Sequence, residues 1–434
     1  MENPFIEAKY PIDFREDDAK KLGEQLRHRH SVDLVGMKRV GISNFLRFFL
    51  YNNKIVSTYI NHGEKHVFIP VDLNDLIEKE IFPFWILTFK RIVDKAENLS
   101  FLELKVKKFI ARLFLDSIQT KDPFLTLDGI RRSLIEISKV GVFPTIFFIR
   151  FDRLKDAVTP EFFNNLQGLR DATAQKLSYV FTSYRSLNDL VPSVFTKGST
   201  TIFTQTTYIK PASYKDISMI FNTFKRRYQL TIEKETENEI LSLSGGHVQY
   251  LQLSLIILKE LLQANNVTHN NIKEAILQDE RINLQSEELW ESLSEEEKSV
   301  LLETQSEKAS KKDHKIGANY LWDTGFIEVN GKNKIFSPIF ESFLKSKNKS
   351  LTNSGNLDFS KKENMLFGYL RGNLGQICDR EKIVEIVWPE YEELGVSDWA
   401  IDRLVARVRT KLKSRENPYE IVTVKTRGYK LLEK

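Results

Sequence analysis

Residues 32–46 read VDLVGMKRVGISNFL, an apolar stretch, then a turn holding Gly36 and Gly41, then a helix beginning near Ser43. Both glycines and the serine match the G-x-x-x-x-G-K-S/T frame of a phosphate-binding loop. In such a loop, backbone N–H groups curl around phosphate oxygens, the helix N-terminus adds positive partial charge, and the serine hydroxyl ligates magnesium. The lysine position is Ile42, which removes the main counter-charge for the β- and γ-phosphates, and Lys38 and Arg39 stand elsewhere on the loop. A second element, TIFFIRFDRL, is an apolar strand ending in Asp152, a side chain suited to hold magnesium through water. The residue after it, where an acidic group often orients the attacking water, is Arg153. A third, LSYVFTSYRSL, ends in Thr182-Ser183 and turns a polar side chain toward the γ-phosphate. The candidate nucleotide site is therefore Gly36, Lys38, Gly41, Ser43, Asp152 and Ser183, with Ser43 and Asp152 as magnesium ligands. Backbone and magnesium could hold ATP or ADP, but efficient hydrolysis is not expected.

A different chemistry is written near the end of the chain. Between Asp398 and Lys413, apolar residues recur at Ile401, Leu404, Val405, Val408 and Leu412, one stripe of a helix. Arg403, Arg407, Arg409, Lys411 and Lys413 fall mostly off that stripe, and Ser397 is placed to cap the helix. After a turn at Asn417-Pro418, alternating apolar positions and Gly428 predict a hairpin carrying Lys425, Arg427 and Lys430. From Trp399 to Lys430 there are nine Lys or Arg against three Asp or Glu, a net +6, while the whole chain carries +5. The remainder is thus near neutral, and the excess charge sits on one helix and one hairpin. That suits a helix in a DNA major groove with a wing on the adjacent backbone.

The elements that must position these residues follow from composition and periodicity. A chain of 434 residues, 41% hydrophobic and 28% charged, predicts several globular domains of roughly 100–200 residues each. Strands are predicted at 32–35, 66–71, 145–151 and 177–182, separated by helices, the pattern of a parallel sheet with helices on its faces. From residue 213 the pattern turns helical, as in a lid, and Gly245-Gly246 opens one of its helices. The segment 287–344 has helical text, a polar interruption at 307–315, and a hairpin at Asn330-Gly331, which together suggest a winged helix. The stretch KSKNKSLTNSGNLDFSKK, from Lys345 to Lys362, reads as a linker. The longest apolar run, Ile81–Phe89, is too short to span a membrane, and the N-terminal residues lack the pattern of a secretion leader. One cysteine, Cys378, excludes a disulfide framework within the chain, so a reducing cytoplasm is expected. His28, His30 and His247 have no ligand-spaced Cys or carboxylate around them and are not read as metal ligands.

Two resemblances gather these observations. Over residues 10–345 the order of glycine loop, acidic strand tip, polar strand tip and lid resembles the STAND and origin-recognition-like branch of AAA+ ATPases. Phe14–Asp18, FREDD, partly matches that family's FxGRe segment, and Gly245-Gly246-His247-Val248 stands where the family's lid carries G-G-h-P. Over residues 357–434 the chain resembles the OmpR/PhoB-type winged helix, through Arg380–Trp388, Ile401–Leu412 and Thr423–Leu431. That resemblance implies DNA contacts from Arg407 and Arg409 on the recognition helix, with Thr423, Lys425 and Tyr429 in the wing. The basic residues Arg403, Lys411 and Arg427 join the candidate DNA set. Trp399 and Thr426 depart from the family pattern. The expected chain is a multidomain protein: an α/β P-loop AAA+-like parallel sheet over 1–210, a helical lid over 211–285, a winged-helix-like unit over 286–345, a linker over 346–356, and an OmpR-type winged helix over 357–434. The expected function is a cytoplasmic, DNA-binding transcription regulator that pairs on direct repeats of double-stranded DNA under control of a degenerate nucleotide module. The alternative is a working ATPase, used in replication or defence, whose C-terminal domain only localises it to DNA.

Overall fold

Alternate residues of three adjacent strands point to opposite sides of one sheet, and two separate cores result. The computed structural model describes residues 5–61, 63–192, 194, 205–263, 269–305, 318–330, 332–352, 359, 361–388, 398–414, 418–424 and 427–433. They fall into two units, Met1–Lys345 and Ser346–Lys434.

The first unit opens with helix α1 (Glu16–Arg27), strand β1 (Val32–Gly36), helix α2 (Ile42–Tyr51) and strand β2 (Lys65–Asp72). Three helices follow, α3 (Ile81–Glu97), α4 (Leu104–Thr120) and α5 (Pro123–Lys139), before β3 (Val142–Ile149), α6 (Pro160–Ala172), β4 (Ser178–Ser183), the short α7 (Leu187–Leu190) and β5 (Gln205–Ile209). All five strands run parallel, in the order β2-β3-β4-β1-β5. The fifth, β5, is not among the strands expected from sequence, because its QTTYI is polar at alternate positions as befits an edge strand half open to water. Phe68, Phe147 and Val180 join the core under α1, α2 and the lid. Val67, Ile69, Ile146, Phe148 and Phe181 join the core under α3, α5 and α6. The apolar run Ile81–Phe89 proves to be the first half of α3, which buries Phe84, Trp85, Phe89 and Ile92 at helical spacing. Both α5 and α6 begin with Pro in the first turn, behind Asp122 and Thr159, whose side chains accept the N–H groups of Leu125 and Phe162.

The lid is α8 (Tyr214–Arg227), α9 (Lys234–Ser244), α10 (Val248–Gln263) and α11 (His269–Gln278). After it come α12 (Glu280–Glu291), α13 (Glu295–Gln305), α14 (Asn319–Asp323), the antiparallel strands β6 (Ile327–Asn330) and β7 (Lys332–Ile335), and α15 (Pro338–Thr352). The expected hairpin is present, while the polar interruption at 307–315 and Gly331 lie outside the described residues. Phe326, Phe336 and Phe340 of this mainly helical middle region share one core with Phe45 and Leu255, so it has no apolar interior of its own. The stretch read as a linker begins as helix, since α15 runs on to Thr352 with no Pro or Gly to stop it. No helix among the described residues is long and apolar enough to cross a membrane.

The second unit holds α16 (Lys361–Gly372), β8 (Ile377–Asp379), α17 (Arg380–Val387), α18 (Asp398–Ser414), β9 (Tyr419–Val424) and β10 (Gly428–Glu433). Its three strands form an antiparallel sheet in the order β8-β10-β9, with the expected terminal hairpin. Ile401, Leu404, Val405, Val408 and Leu412 are all buried, and Trp388 is among the largest side chains of the interior. A Cβ at position 428 would lie 2.0 Å from the Cys378 carbonyl oxygen, so only glycine lets β10 pair with β8 there.

One buried carboxyl group sits on an inner strand of the large sheet. Asp33 on β1 is 3% exposed; one carboxylate oxygen accepts the Leu187 N–H at 2.7 Å and the other has no hydrogen-bond partner among the described residues. Burial pushes its pKa up to about 7, against the opposing pull of that N–H. From pH 4 to 7 the folded chain therefore keeps a proton that the unfolded chain releases, and stability falls as pH rises through that window. Asp33→Asn keeps an acceptor for Leu187 and removes the charge. Its melting temperature should exceed the wild type's by a margin that grows from pH 5 to pH 8, reaching several degrees; an equal margin at both pH values would refute the buried-charge account.

Candidate nucleotide loop and nucleic-acid interface

The loop between β1 and α2 is fixed from below by Met37 and Val40, both fully buried. Gly41, at φ 115°, makes the left-handed turn into α2, and no side chain caps that helix. Its N-terminal N–H groups are therefore left for another partner. Ile42, in the lysine position, packs back against Gly36. Ser43 is exposed.

Lys38 turns toward the strand tips. Its ammonium lies 4.7 Å from the centre of the Tyr184 ring. Burial lowers its pKa, while Glu288 and Asp152 act in the opposite sense. Asp152 stands just beyond the end of β3, its pKa raised by burial and lowered less by Lys38. Gly36, Lys38, Gly41 and Asp152 are thus brought to one end of the sheet. Ser183 is at the tip of β4 as expected, but its buried hydroxyl donates to the Arg185 carbonyl, so its proton is used inside the turn. That corrects the expectation that it faces a phosphate. Among the described residues no group of three or more His, Cys, Asp or Glu is arranged to hold a metal ion.

Several groups at this site escape a motif search. His247, fully buried, donates from Nε2 to the Lys38 carbonyl at 2.9 Å and accepts the Tyr250 N–H on Nδ1 at 3.3 Å. Burial lowers its pKa to about 4, so the neutral ring joins lid to loop. Val248 crowds Gly41, and a Cβ there would sit 2.5 Å from its Cγ2. Arg39, at φ 60°, donates to Glu288 of α12 at 2.8 Å. Arg185 pairs with Glu297 at 2.7 Å through Nη1, donates to the Ser292 carbonyl and stacks 3.8 Å from the Tyr320 ring centre. Arg15, within the FREDD segment, is 4% exposed. It donates to the Lys210 carbonyl and to Asp18, yet its Nε and Nη2 have no hydrogen-bond partner among the described residues, and Nη2 lies 3.8 Å from the Cβ position of Gly41. A buried guanidinium with spare donors beside an uncapped helix N-terminus fits an anionic group such as a phosphate.

In the second unit the charges of α18 are shared out by position. Arg407 and Lys411 turn to the buried Glu363 of α16, at 3.6 and 2.6 Å. Arg409 donates to the Ile421 carbonyl at 2.9 Å and to the Thr423 hydroxyl at 2.8 Å, tying helix to wing. Arg403 is partly exposed, and Arg427 is exposed near the start of β10. Lys425, Thr426 and the side chains of Trp399 and Lys413 lie outside the described residues. Tyr429 corrects a second expectation. It is 1% exposed, its hydroxyl donates to Asp402 and accepts from Arg380 at 2.9 Å, and burial with Asp402 nearby raises its pKa. It braces α17, α18 and β10 and is not on the surface of the wing.

These features define the class. A parallel sheet ordered β2-β3-β4-β1-β5, with a glycine loop after β1 and a helical lid, is an AAA+ ATPase-like fold. The chain ends in an OmpR/PhoB-type winged-helix DNA-binding domain: residues 354–431 match the family described as "Transcriptional regulatory protein, C terminal". No curated protein matches the sequence. Among solved structures the chain is similar to the Aeropyrum pernix ORC2 protein in its ADPNP–ADP complexes, with TM-score 0.46 and 11% identity over 80% of this chain and 98% of that one. It is also similar to the Walker-type ATPase paby2304 of Pyrococcus abyssi, with TM-score 0.44 and 17% identity over 76% and 95%. A third is the Thermotoga maritima RuvB Holliday junction branch migration motor, with TM-score 0.35 and 12% identity over 79% and 96%.

The lid contact is testable by pH. His247 contributes stability that is complete above its ordinary pKa near 6.5 and is lost as pH falls toward 4, because the unfolded chain takes up a proton that the folded chain refuses. At pH 7.5 His247→Ala should cost about 1–3 kcal/mol in chemical unfolding, the scale of a buried polar group left unpaired. The deficit should shrink on acidification to pH 5; a deficit constant with pH would show that the imidazole contributes packing alone.

Proposed function

We propose that this chain is a DNA-binding transcription regulator in which an OmpR-type reader over residues 357–434 is controlled by a STAND-like module over 1–345 that binds nucleotide without efficient turnover. The match of residues 354–431, folded as a winged helix, carries the DNA reading. For the nucleotide, the supporting observation is the spare buried donors of Arg15 beside Gly41. ATP or ADP would lie with its phosphates at the N-terminus of α2, between Gly36, Gly41 and Arg15. Magnesium would be shared by Ser43 and Asp152. Ile42 and Arg153 leave no phosphate-gripping lysine and no general base at the usual places. Lys38, drawn toward Asp152 by charge, supplies the nearest remaining ammonium to that strand tip. Such a protein works in the cytoplasm and pairs on direct repeats, each copy placing α18 in a major groove and Arg427 against the backbone.

Selection of bound fragments from genomic DNA should recover a repeated motif whose spacing reports the pairing. Arg427→Ala should weaken binding to every fragment alike and flatten the dependence of log affinity on log salt by about one unit. Affinity for DNA indistinguishable from background, in wild type and variant, would sink the reading. The nucleotide half is tested separately, by calorimetry with ATP and ADP and by phosphate release with magnesium and DNA. ATP and ADP should bind, Arg15→Ala should lower the affinity about tenfold or more, the scale of a charge-assisted hydrogen bond, and release should stay at background. Turnover that Asp152→Ala abolishes would favour the working-ATPase alternative instead.

A further inference from the structure

Six large apolar side chains on α4, α5 and the turn before α4 face water: Phe101, Leu104, Leu115, Ile118, Phe124 and Leu125 are between 39% and 73% exposed. Such clustering on a folded surface marks an interaction site more often than chance exposure. Helix α4 shows how it arises. Ile110 and Ser117, seven residues apart, are its fully buried residues and lie on the side turned to α3 and α5. Leu104, Leu115 and Ile118 are spaced by eleven and three residues, which brings them close to one line about a third of a turn round the helix from Ile110 and Ser117, a second apolar stripe at helical period. Exposed Lys105, Lys108 and Arg112 run beside that stripe with exposed Asp116 among them, a net positive charge. Two copies of α4 laid face to face would oppose these cations, so the stripe does not fit itself.

A surface of the opposite sign stands on the same chain. Between β2 and α3, Ile77 is 99% exposed, the most exposed large apolar side chain described, and Glu78, Lys79 and Glu80 beside it are exposed as well, a net negative charge. A lone isoleucine held out in water has no role in the chain's own cores, since Leu76 next to it already fills that place. We propose that the acidic Ile77 tip of one copy docks on the basic apolar stripe of α4 in a second copy of this chain. Ile77 would seat between Leu115 and Ile118, one turn apart, with Glu78 and Glu80 meeting Lys108 and Arg112 along the same helix. The contact joins unlike patches, so each copy offers one tip and one stripe, and association proceeds head to tail unless a rotation closes it. It needs neither nucleotide nor DNA.

The test is sedimentation of the full chain, without DNA, over a concentration series. Wild type should associate, and Ile77→Asp and Leu115→Asp should each weaken association about tenfold or more, as loss of a central apolar anchor does. Both positions are exposed, so melting temperatures should stay at the wild-type value. An equimolar mixture of the two variants should recover a dimer and nothing larger, because one intact tip then meets one intact stripe. Charge reversal gives a second readout: Glu80→Lys should weaken association, and mixing it with Arg112→Glu should restore it. A wild type that stays monomeric up to about 100 μM, well above the range of specific complexes, would overturn the proposal. So would association that survives both Asp variants, or that only one of them disrupts.

Discussion

The loop that leads into α2 is where the N-terminal segment, the lid and α12 meet, and polar groups from all three are directed at it. Gly41 supplies the turn but no capping oxygen. The lid gives a donor to the Lys38 carbonyl through His247 and lays Val248 on Gly41. Helix α12 gives Glu288 to Arg39. The N-terminal segment brings Arg15, whose spare donors face the same end of α2. Asp18 meets one edge of the Arg15 guanidinium at 2.8 Å, and the donors turned toward Gly41 add to the positive end of the helix. The lysine lost at Ile42 is therefore only one of several cations around the loop, and the others come from elements far away in sequence.

In the second unit the same economy of charge works in reverse. A helical wheel assigns Arg407 and Lys411 to a solvated basic face, because it sees only the helix that carries them. Glu363, on a different helix and almost fully buried, gathers both. Arg409 is spent on the wing's backbone and on Thr423. The net +6 of the terminal segment is real as a sum. Among the described residues Arg407 and Arg409 are held by structural partners, Arg403 is partly exposed and Arg427 is exposed.

What the residues reveal on inspection tracks the range of the interactions involved. The strands from Val32 and Ser178, the hairpin at Asn330 and the stripe from Ile401 to Leu412 are local patterns, and their periodicity carries them. β5 was illegible because an edge strand with exposed Gln205 and Thr206 has no apolar run. Gly36, Gly41 and Asp152 could be placed because a loop and a strand tip are short motifs with fixed chemistry. Ser183 and Tyr429 were misjudged because the fate of a hydroxyl depends on what lies across a turn or a sheet, the Arg185 carbonyl in one case and Asp402 in the other. His247 is legible as a member of the lid segment Gly245–Val248, but neither that motif nor the spacing of possible metal ligands points to a carbonyl 209 residues away.

The middle region is the point where these long-range contacts converge. Arg185 follows the tip of β4 by two residues and is held by Glu297, the Ser292 carbonyl and the Tyr320 ring, while the Tyr320 hydroxyl donates to the Tyr184 carbonyl at 2.7 Å. Tyr184 in turn lies under the Lys38 ammonium. The loop after β1 and the turn after β4 are thus joined to α12, α13 and α14 by buried charged and aromatic groups, where removing one partner strands the other in a low-dielectric interior. Surface ion pairs would let the loop move alone. Pairs as buried as Arg185–Glu297, with side-chain exposures of 14% and 4%, do not. Arg39, with its side chain 41% exposed, reaches Glu288 of α12 from the same loop, and α12 is packed into the one core that also holds the lid and the β6–β7 hairpin. Two acidic residues of this region, Glu288 and Glu297, neutralise Arg39 of the loop and Arg185 beyond the strand tip.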